Sequence, residues 1–169
     1  MTVAGIAAPT PGAVDFDADV SQDGSMLYVS VGQFDAGRPT SANLTIFDEV
    51  GGGFAPDADA GRLLQADNRP GMLTYAASIS ADGLELFFTR AAPGGGVPAI
   101  YRAVRSRPGR TFGRVQRIGA ITGFAEAPSI SADGTTLHYH RLVGGSFEIW
   151  SVTRPRGRGR VAQPRVTVG

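Results

Sequence analysis

Asp19-Val20-Ser21-Gln22-Asp23-Gly24, Ser78-Ile79-Ser80-Ala81-Asp82-Gly83 and Ser129-Ile130-Ser131-Ala132-Asp133-Gly134 are three copies of one phrase, and their reading decides the fold. The Asp-Gly pairs lie 59 and then 51 residues apart. A repeat of that period marks a modular array, each unit burying its apolar face on the next. Ser-x-Asp-Gly between two β-forming runs predicts a hairpin. Gly supplies the positive φ, Asp bonds local amides, and the Ser hydroxyl adds a further turn hydrogen bond. Ser21, Asp23, Gly24, Ser80, Asp82, Gly83, Ser131, Asp133 and Gly134 are the expected structural turn residues.

A run of small residues precedes each turn: Ala18-Asp19-Val20, Ala77-Ser78-Ile79 and Pro128-Ser129-Ile130. Such residues suit a crowded innermost strand. A richer strand follows each turn, with Leu27, Leu86 and Leu137 at one repeat position and Val29, Phe88 and Tyr139 at another. This is period-two patterning in β-formers. A third strand is expected at residues 43–47, 99–104 and 147–152. A weaker fourth is expected at Arg62-Leu63-Leu64, at residues 114–118 and at residues 164–168. Four antiparallel strands per repeat of about 40–50 residues make the blade of a β-propeller. The fold class is therefore all-β: three four-stranded blades over 14–66, 74–119 and 125–168, half or a fragment of a six-bladed ring. Residues 1–13 supply an outer strand or an N-terminal extension.

The Ser-x-Asp-Gly turn, the Leu-x-Phe/Tyr strand after it, the loops Gly94-Gly95-Gly96 and Gly144-Gly145, and the strands Ile100-Tyr101-Arg102-Ala103-Val104-Arg105 and Ile149-Trp150-Ser151-Val152-Thr153-Arg154 carry a resemblance. They resemble the WD40-like, TolB-type (PD40) propeller repeat of bacterial envelope and secreted proteins. Phe112-Gly113-Arg114-Val115 fits that family's outer-strand entry. The first unit departs: Ile46-Phe47-Asp48-Glu49 lacks the Arg, and its loop between second and third strands is expected to be longer. The resemblance spans residues 16–154. It implies a binding platform in a periplasmic or extracellular setting, while the chain itself shows no signal peptide, so a cytoplasmic setting stays open.

With 169 residues, 42% of them hydrophobic, the chain is long enough to bury a core as one domain. No apolar run is long enough to span a bilayer, so no membrane insertion is expected. There is no Cys, hence no disulfide, thiolate metal site or Cys nucleophile. There is no Lys, hence no phosphate-binding Gly-Lys-Ser/Thr loop, and no Gly-x-Ser-x-Gly elbow. The net charge of +1 hides a split: twelve acids and four Arg in residues 1–99 give −8, and three acids and twelve Arg in residues 100–169 give +9. The Arg-Gly segment from Arg154 to Arg160 has no interleaved aromatic to stack bases, so it reads as a solvated loop and no nucleic-acid partner is expected.

Loops at one axial face supply the candidate ligand-binding residues Asp67, Arg69, Tyr75, Arg90, Glu126, His140 and Arg141. Arg90 and Arg141 are repeat-equivalent, so structural pairing within or between blades competes with ligand contact. His138 and His140 point the same way on a strand. Their equivalents, Tyr28 and Ser30, and Phe87 and Thr89, favour positions between blades. Asp15, Asp17 and Asp19 alternate along one strand face, and Asp57-Ala58-Asp59-Ala60-Gly61 resembles the opening of a calcium loop. Both ligand sets are incomplete, so no cofactor is expected, with calcium as the exception to watch. No catalytic set is visible.

These residues predict a non-enzymatic binding or scaffold module for a protein or carbohydrate partner. A lyase or glycosidase using acids and His near the axis is the alternative. Three blades do not close a ring. Further blades of a longer propeller, or a second copy of the chain, are expected to complete it. Residues 3–6 read as an outer strand for a missing blade and favour the first.

Overall fold

Each Ser-x-Asp-Gly phrase closes a hairpin between a short inner strand and the strand after it. The computed structural model describes Ile6 and residues 11–155. Within it, β1 (Ala13–Val20), β2 (Met26–Asp35), β3 (Arg38–Val50) and β4 (Gly53–Pro56) form one antiparallel sheet. A short helix, α1 (Ala60–Leu63), leads to the second sheet: β5 (Leu73–Ile79), β6 (Glu85–Ala91), β7 (Ala99–Val104) and β8 (Gly113–Arg117). The third sheet holds β9 (Ala125–Ile130), β10 (Thr136–Val143) and β11 (Ser146–Thr153). Within every sheet neighbours in sequence pair, which is the order of a propeller blade. The fourth strand expected at residues 164–168 and residues 3–5 lie outside the described residues.

The three turns share one hydrogen-bond plan. Ser21 Oγ donates to Asp23 Oδ1 at 2.6 Å and accepts from Met26 N at 2.9 Å. Ser80 repeats both bonds with Asp82 and Glu85 at 2.7 and 2.9 Å, and Ser131 with Asp133 and Thr136 at 2.7 and 2.9 Å. Gly24, Gly83 and Gly134 have φ of 73°, 68° and 68°, where any Cβ is strained. The Ser21 hydroxyl, followed by the Ser25 amide and hydroxyl, holds the Asp23 carboxyl down to about 2. Replacing Ser80 with Ala removes a donor and an acceptor at once, and should cost about 1–2 kcal/mol in urea denaturation. An unchanged midpoint would mean that backbone bonds alone hold the turn.

The first blade differs from expectation in two places. Arg62-Leu63-Leu64 is not its fourth strand, because Gly51 and Gly52, with φ of 61° and 84°, turn β3 at once into β4. Leu63 and Leu64 instead plug the space between the first two blades, and Leu63 O accepts Phe112 N at 3.0 Å. Nor is there a longer loop between its second and third strands. The extra residues lengthen β2 and β3 themselves, which meet through Ala36-Gly37 at φ of 46° and 77°.

Blades dock through the inner strand of the following blade: β5 lies on β1–β3, and β9 on β5–β7. A bulge makes this possible. Asp17, Ala76 and Ala127 sit at one repeat position with φ of 50°, 50° and 51°, and the pairing register slips there. Ala76 N donates to Ser30 Oγ, and Ala127 N to Thr89 Oγ1, both at 2.9 Å. Three residues on, Ile79 N donates to Asp19 Oδ2 at 2.8 Å and Ile130 N to Ser78 Oγ at 3.1 Å. Apolar packing fills the rest: Tyr28, Leu44 and Ile46 meet Ile79, Leu86 and Phe88 at the first junction, and Phe87 and Ile100 meet Leu137 and Tyr139 at the second. The same bulge breaks the expected one-face row of Asp15, Asp17 and Asp19, since a left-handed residue inserts into the alternation.

Candidate functional site: the axial mouth

The residue before each bulge is Phe16, Tyr75 or Glu126, again one repeat position, so these three side chains follow one another across three inner strands. The Phe16 and Tyr75 rings are 6.4 Å apart. Tyr75 OH donates to Glu126 Oε2 at 2.8 Å, linking the second blade to the third. His140 pairs in register with Glu126. Desolvation raises the Asp17 carboxyl above the ordinary carboxylate range, against the opposing pull of the nearby His140. Desolvation likewise raises the Tyr75 phenol, with Glu126 and Asp17 adding to it, so Tyr75 stays a protonated donor at any physiological pH. Exposed aromatics rim the mouth: Phe34 stacks edge-on to Phe16 at 5.3 Å, and Phe147 lies 5.7 Å from Phe124 and 6.3 Å from His140.

Tyr75, Glu126 and His140 thus come together, joined by Asp17. Asp67 and Arg90 come together elsewhere, and both are buried. Arg90 Nη2 donates to the carbonyls of Asp67 at 2.5 Å and Ala66 at 3.1 Å, and its guanidinium stacks 4.9 Å from the Tyr101 ring centre. Thr74 Oγ1 donates to the same Asp67 carbonyl at 3.1 Å. Arg141, the repeat-equivalent of Arg90, stacks on Trp150 at 4.4 Å. Arg69 is exposed and its charge lies near Arg90. Among the described residues no group of three or more His, Asp and Glu is placed to hold a metal. Asp59 is engaged by Arg62 at 2.8 Å and its amide donates to Asp57 Oδ1 at 2.6 Å.

Among the described residues the Asp67 carboxyl has no hydrogen-bond partner, and burial pushes it up to about 7 even against the pull of Arg90. An acid raised in the folded state is more easily ionised in the unfolded chain. Its cost is absent below the unfolded pKa and grows until pH passes the folded value near 7. Asp67→Asn should therefore stabilise the protein by about 2 kcal/mol at pH 8 and have almost no effect at pH 4. Thermal denaturation at the two pH values checks this, and equal shifts at both would contradict it.

Sequence reasoning missed the bulges and the hydrogen bonds that Ser30, Thr89 and Asn68 make. Asn68 exchanges two hydrogen bonds with the Leu44 backbone, at 2.7 and 2.8 Å, and staples its loop to β3. The repeated small hydroxyl at positions 30 and 89 was the available signal.

No known protein-family model matches the chain, and no curated protein does. Solved structures do match its fold. TolB from Acinetobacter baumannii superposes with a TM-score of 0.52 at 20% identity, over 85% of this chain and 31% of that one. A putative TolB from Agrobacterium tumefaciens gives 0.50 at 22% identity, over 81% and 42%. A prolyl endopeptidase structure gives 0.50 at 16% identity, over 92% and 20%. The chain thus spans less than half of the length of each, and the likeness is one of fold: it is similar to part of a TolB-type β-propeller.

Proposed function

We propose that the chain is a non-enzymatic propeller module that holds a protein or carbohydrate partner at its axial mouth. The observation that carries this reading is the Tyr75–Glu126 hydrogen bond across two blades, beside Asp17 and His140 and between exposed Phe34 and Phe147. Fixed carboxyl and imidazole groups among aromatic faces suit sugar hydroxyls and peptide side chains, where rings supply contact area at low entropic cost. A periplasmic or extracellular setting accords with the fold likeness to TolB, and no described helix is long and apolar enough to cross a membrane. A carbohydrate-active enzyme is the second reading, favoured by a raised Asp17 carboxyl sharing the mouth with Glu126.

A glycan and peptide array tests the proposal. The protein should retain a ligand that Glu126→Gln and Tyr75→Phe each weaken by about tenfold, a typical loss for one hydrogen bond to a charged group. Turnover of a polysaccharide that disappears in Glu126→Gln would establish the enzyme instead.

A further inference from the structure

Arg105 and Arg154 share a repeat position, and their main chains make the same bond: Arg105 N donates to Leu84 O and Arg154 N to Thr135 O. Their side chains start alike. Arg105 Nε donates to Gly83 O and Arg154 Nε to Gly134 O, both at 2.6 Å. Then they diverge. Arg154 closes on the carboxylate of Glu85 in the preceding blade, with Nη1 donating to Oε1 at 2.8 Å. Met26 is the first blade's counterpart of Glu85, since Met26 N and Glu85 N each donate to the Ser hydroxyl of their own turn. Arg105 thus meets a thioether where Arg154 meets a carboxylate.

The result is a buried cation with one donor unused. Arg105 is 7% exposed, its Nη2 donates to Tyr28 OH at 3.2 Å, and its guanidinium lies 4.3 Å from the Phe112 ring centre. Its Nη1 has no hydrogen-bond partner among the described residues. The partners of its other two nitrogens, a carbonyl and a phenol, carry no charge. A buried charge is costly until it is paired.

This guanidinium lines a groove of about 280 Å³ between the turns of the first two blades, and it is the one cation among the described lining residues. Met26, Ile79 and Pro108 give the groove apolar surface. Asp23 and Asp82 also line it, each bonded within its own turn. Their carboxyls oppose a doubly charged anion more than a singly charged one. Tyr28 OH, which accepts from Arg105, donates to Met26 Sδ at 4.0 Å, so the thioether lies beside the guanidinium. An unbranched, flexible side chain can swing aside there.

We propose that this groove binds a small monocarboxylic acid with an apolar body. The carboxylate takes the place that Glu85 holds on Arg154, accepting from Arg105 Nη1 as Met26 moves aside. The body of the acid lies on Met26, Ile79 and Pro108. The groove sits at the turn end of the inner strands, whereas Phe16 and Phe34 mark the mouth toward the other end of β1, so the proposal does not rest on what the mouth binds.

Calorimetric titration of the full chain with benzoate tests this. Benzoate should bind, and benzamide, its neutral analogue, should bind at least about tenfold more weakly, as expected when a charge-assisted hydrogen bond is lost. Sulfate, a dianion, should bind more weakly than benzoate. Met26→Glu supplies the missing carboxylate from the chain itself. It should abolish benzoate binding and raise the thermal midpoint, because Arg105 gains the partner that Arg154 already has. Met26→Gln, of the same shape without the charge, should keep benzoate affinity within about threefold, well under the loss expected for a charged partner. Absence of benzoate binding would leave Nη1 to water and overturn the proposal. So would equal affinity for benzoate and benzamide, or binding unchanged in Met26→Glu. A capped glutamate peptide that binds more tightly than benzoate would overturn the small acid in favour of a protein side chain.

Discussion

Replacing Phe88 with Ala should lower the unfolding free energy by about 3–5 kcal/mol, the usual cost of emptying a fully buried aromatic site. Phe88 lies on β6 at the junction of the first two blades, in contact with the cluster that holds Tyr28, Leu86 and Phe112. It stacks on Tyr101 with ring centres 6.0 Å apart and planes at 14°. The Arg90 guanidinium lies 5.2 Å from its centre. Truncation would leave a cavity between blades and strip one aromatic face from a buried cation whose Nε has no partner among the described residues. A domain of this size holds about 5–15 kcal/mol in all, so the variant should be marginal at room temperature. Guanidinium denaturation gives the measurement. A loss under 1 kcal/mol would mean the junction is not packed as described.

Glu85→Ala should cost about 2–3 kcal/mol at pH 7, less than the full value for a buried pair because its partners remain partly exposed. Glu85 Oε1 accepts Arg102 Nε at 2.6 Å within its own blade and Arg154 Nη1 at 2.8 Å from the third blade, with Arg154 Nη2 closing on Oε2. Arg154 Nε also donates to Gly134 O at 2.6 Å, so this cation ties the third turn to the second blade. Burial raises the Glu85 carboxyl, but Arg154 and Arg102 outweigh it and hold the group below its ordinary value of 4.5. A carboxyl depressed in the folded state stabilises above its unfolded pKa, and loses that contribution as pH falls through the folded value. The gap between wild type and Glu85→Ala should therefore be full at pH 7 and shrink below pH 4.5. A gap that does not change with pH would remove the ion triad from the account.

The repeat phrase made the hairpins legible because each of its residues has a local job, and all three turns carry the bonds that Ser, Asp and Gly foretell. The His pair stands at the positions where Tyr28 and Ser30, and Phe87 and Thr89, are buried between blades, whereas His138 and His140 are themselves exposed. The bulges were not legible. Asp17, Ala76 and Ala127 adopt a left-handed conformation that none of them favours strongly, so residue type does not mark the position. β4 was hidden in Gly53-Phe54-Ala55-Pro56, where the only signal is the Gly pair before it, while Leu63-Leu64 offered a more strand-like but misleading run. At the mouth, sequence supplied Tyr75, Glu126 and His140 but not Asp17 as their neighbour, since that meeting depends on how three blades converge. Burial of Asp67 and Arg90 depends on the loop that Asn68 staples over them.

Residue-resolved amide hydrogen exchange on the native protein tests the central claim, that blades dock through bulge amides, most directly. The amides of Ala76, Ile79, Ala127 and Ile130 point out of their own sheets and bond only to the preceding blade. They should exchange as slowly as the core strand amides of β6, opening only with global unfolding. Exchange of these four as fast as exposed turn amides, with β6 still protected, would show sheets that fold but do not dock, and would contradict the propeller array.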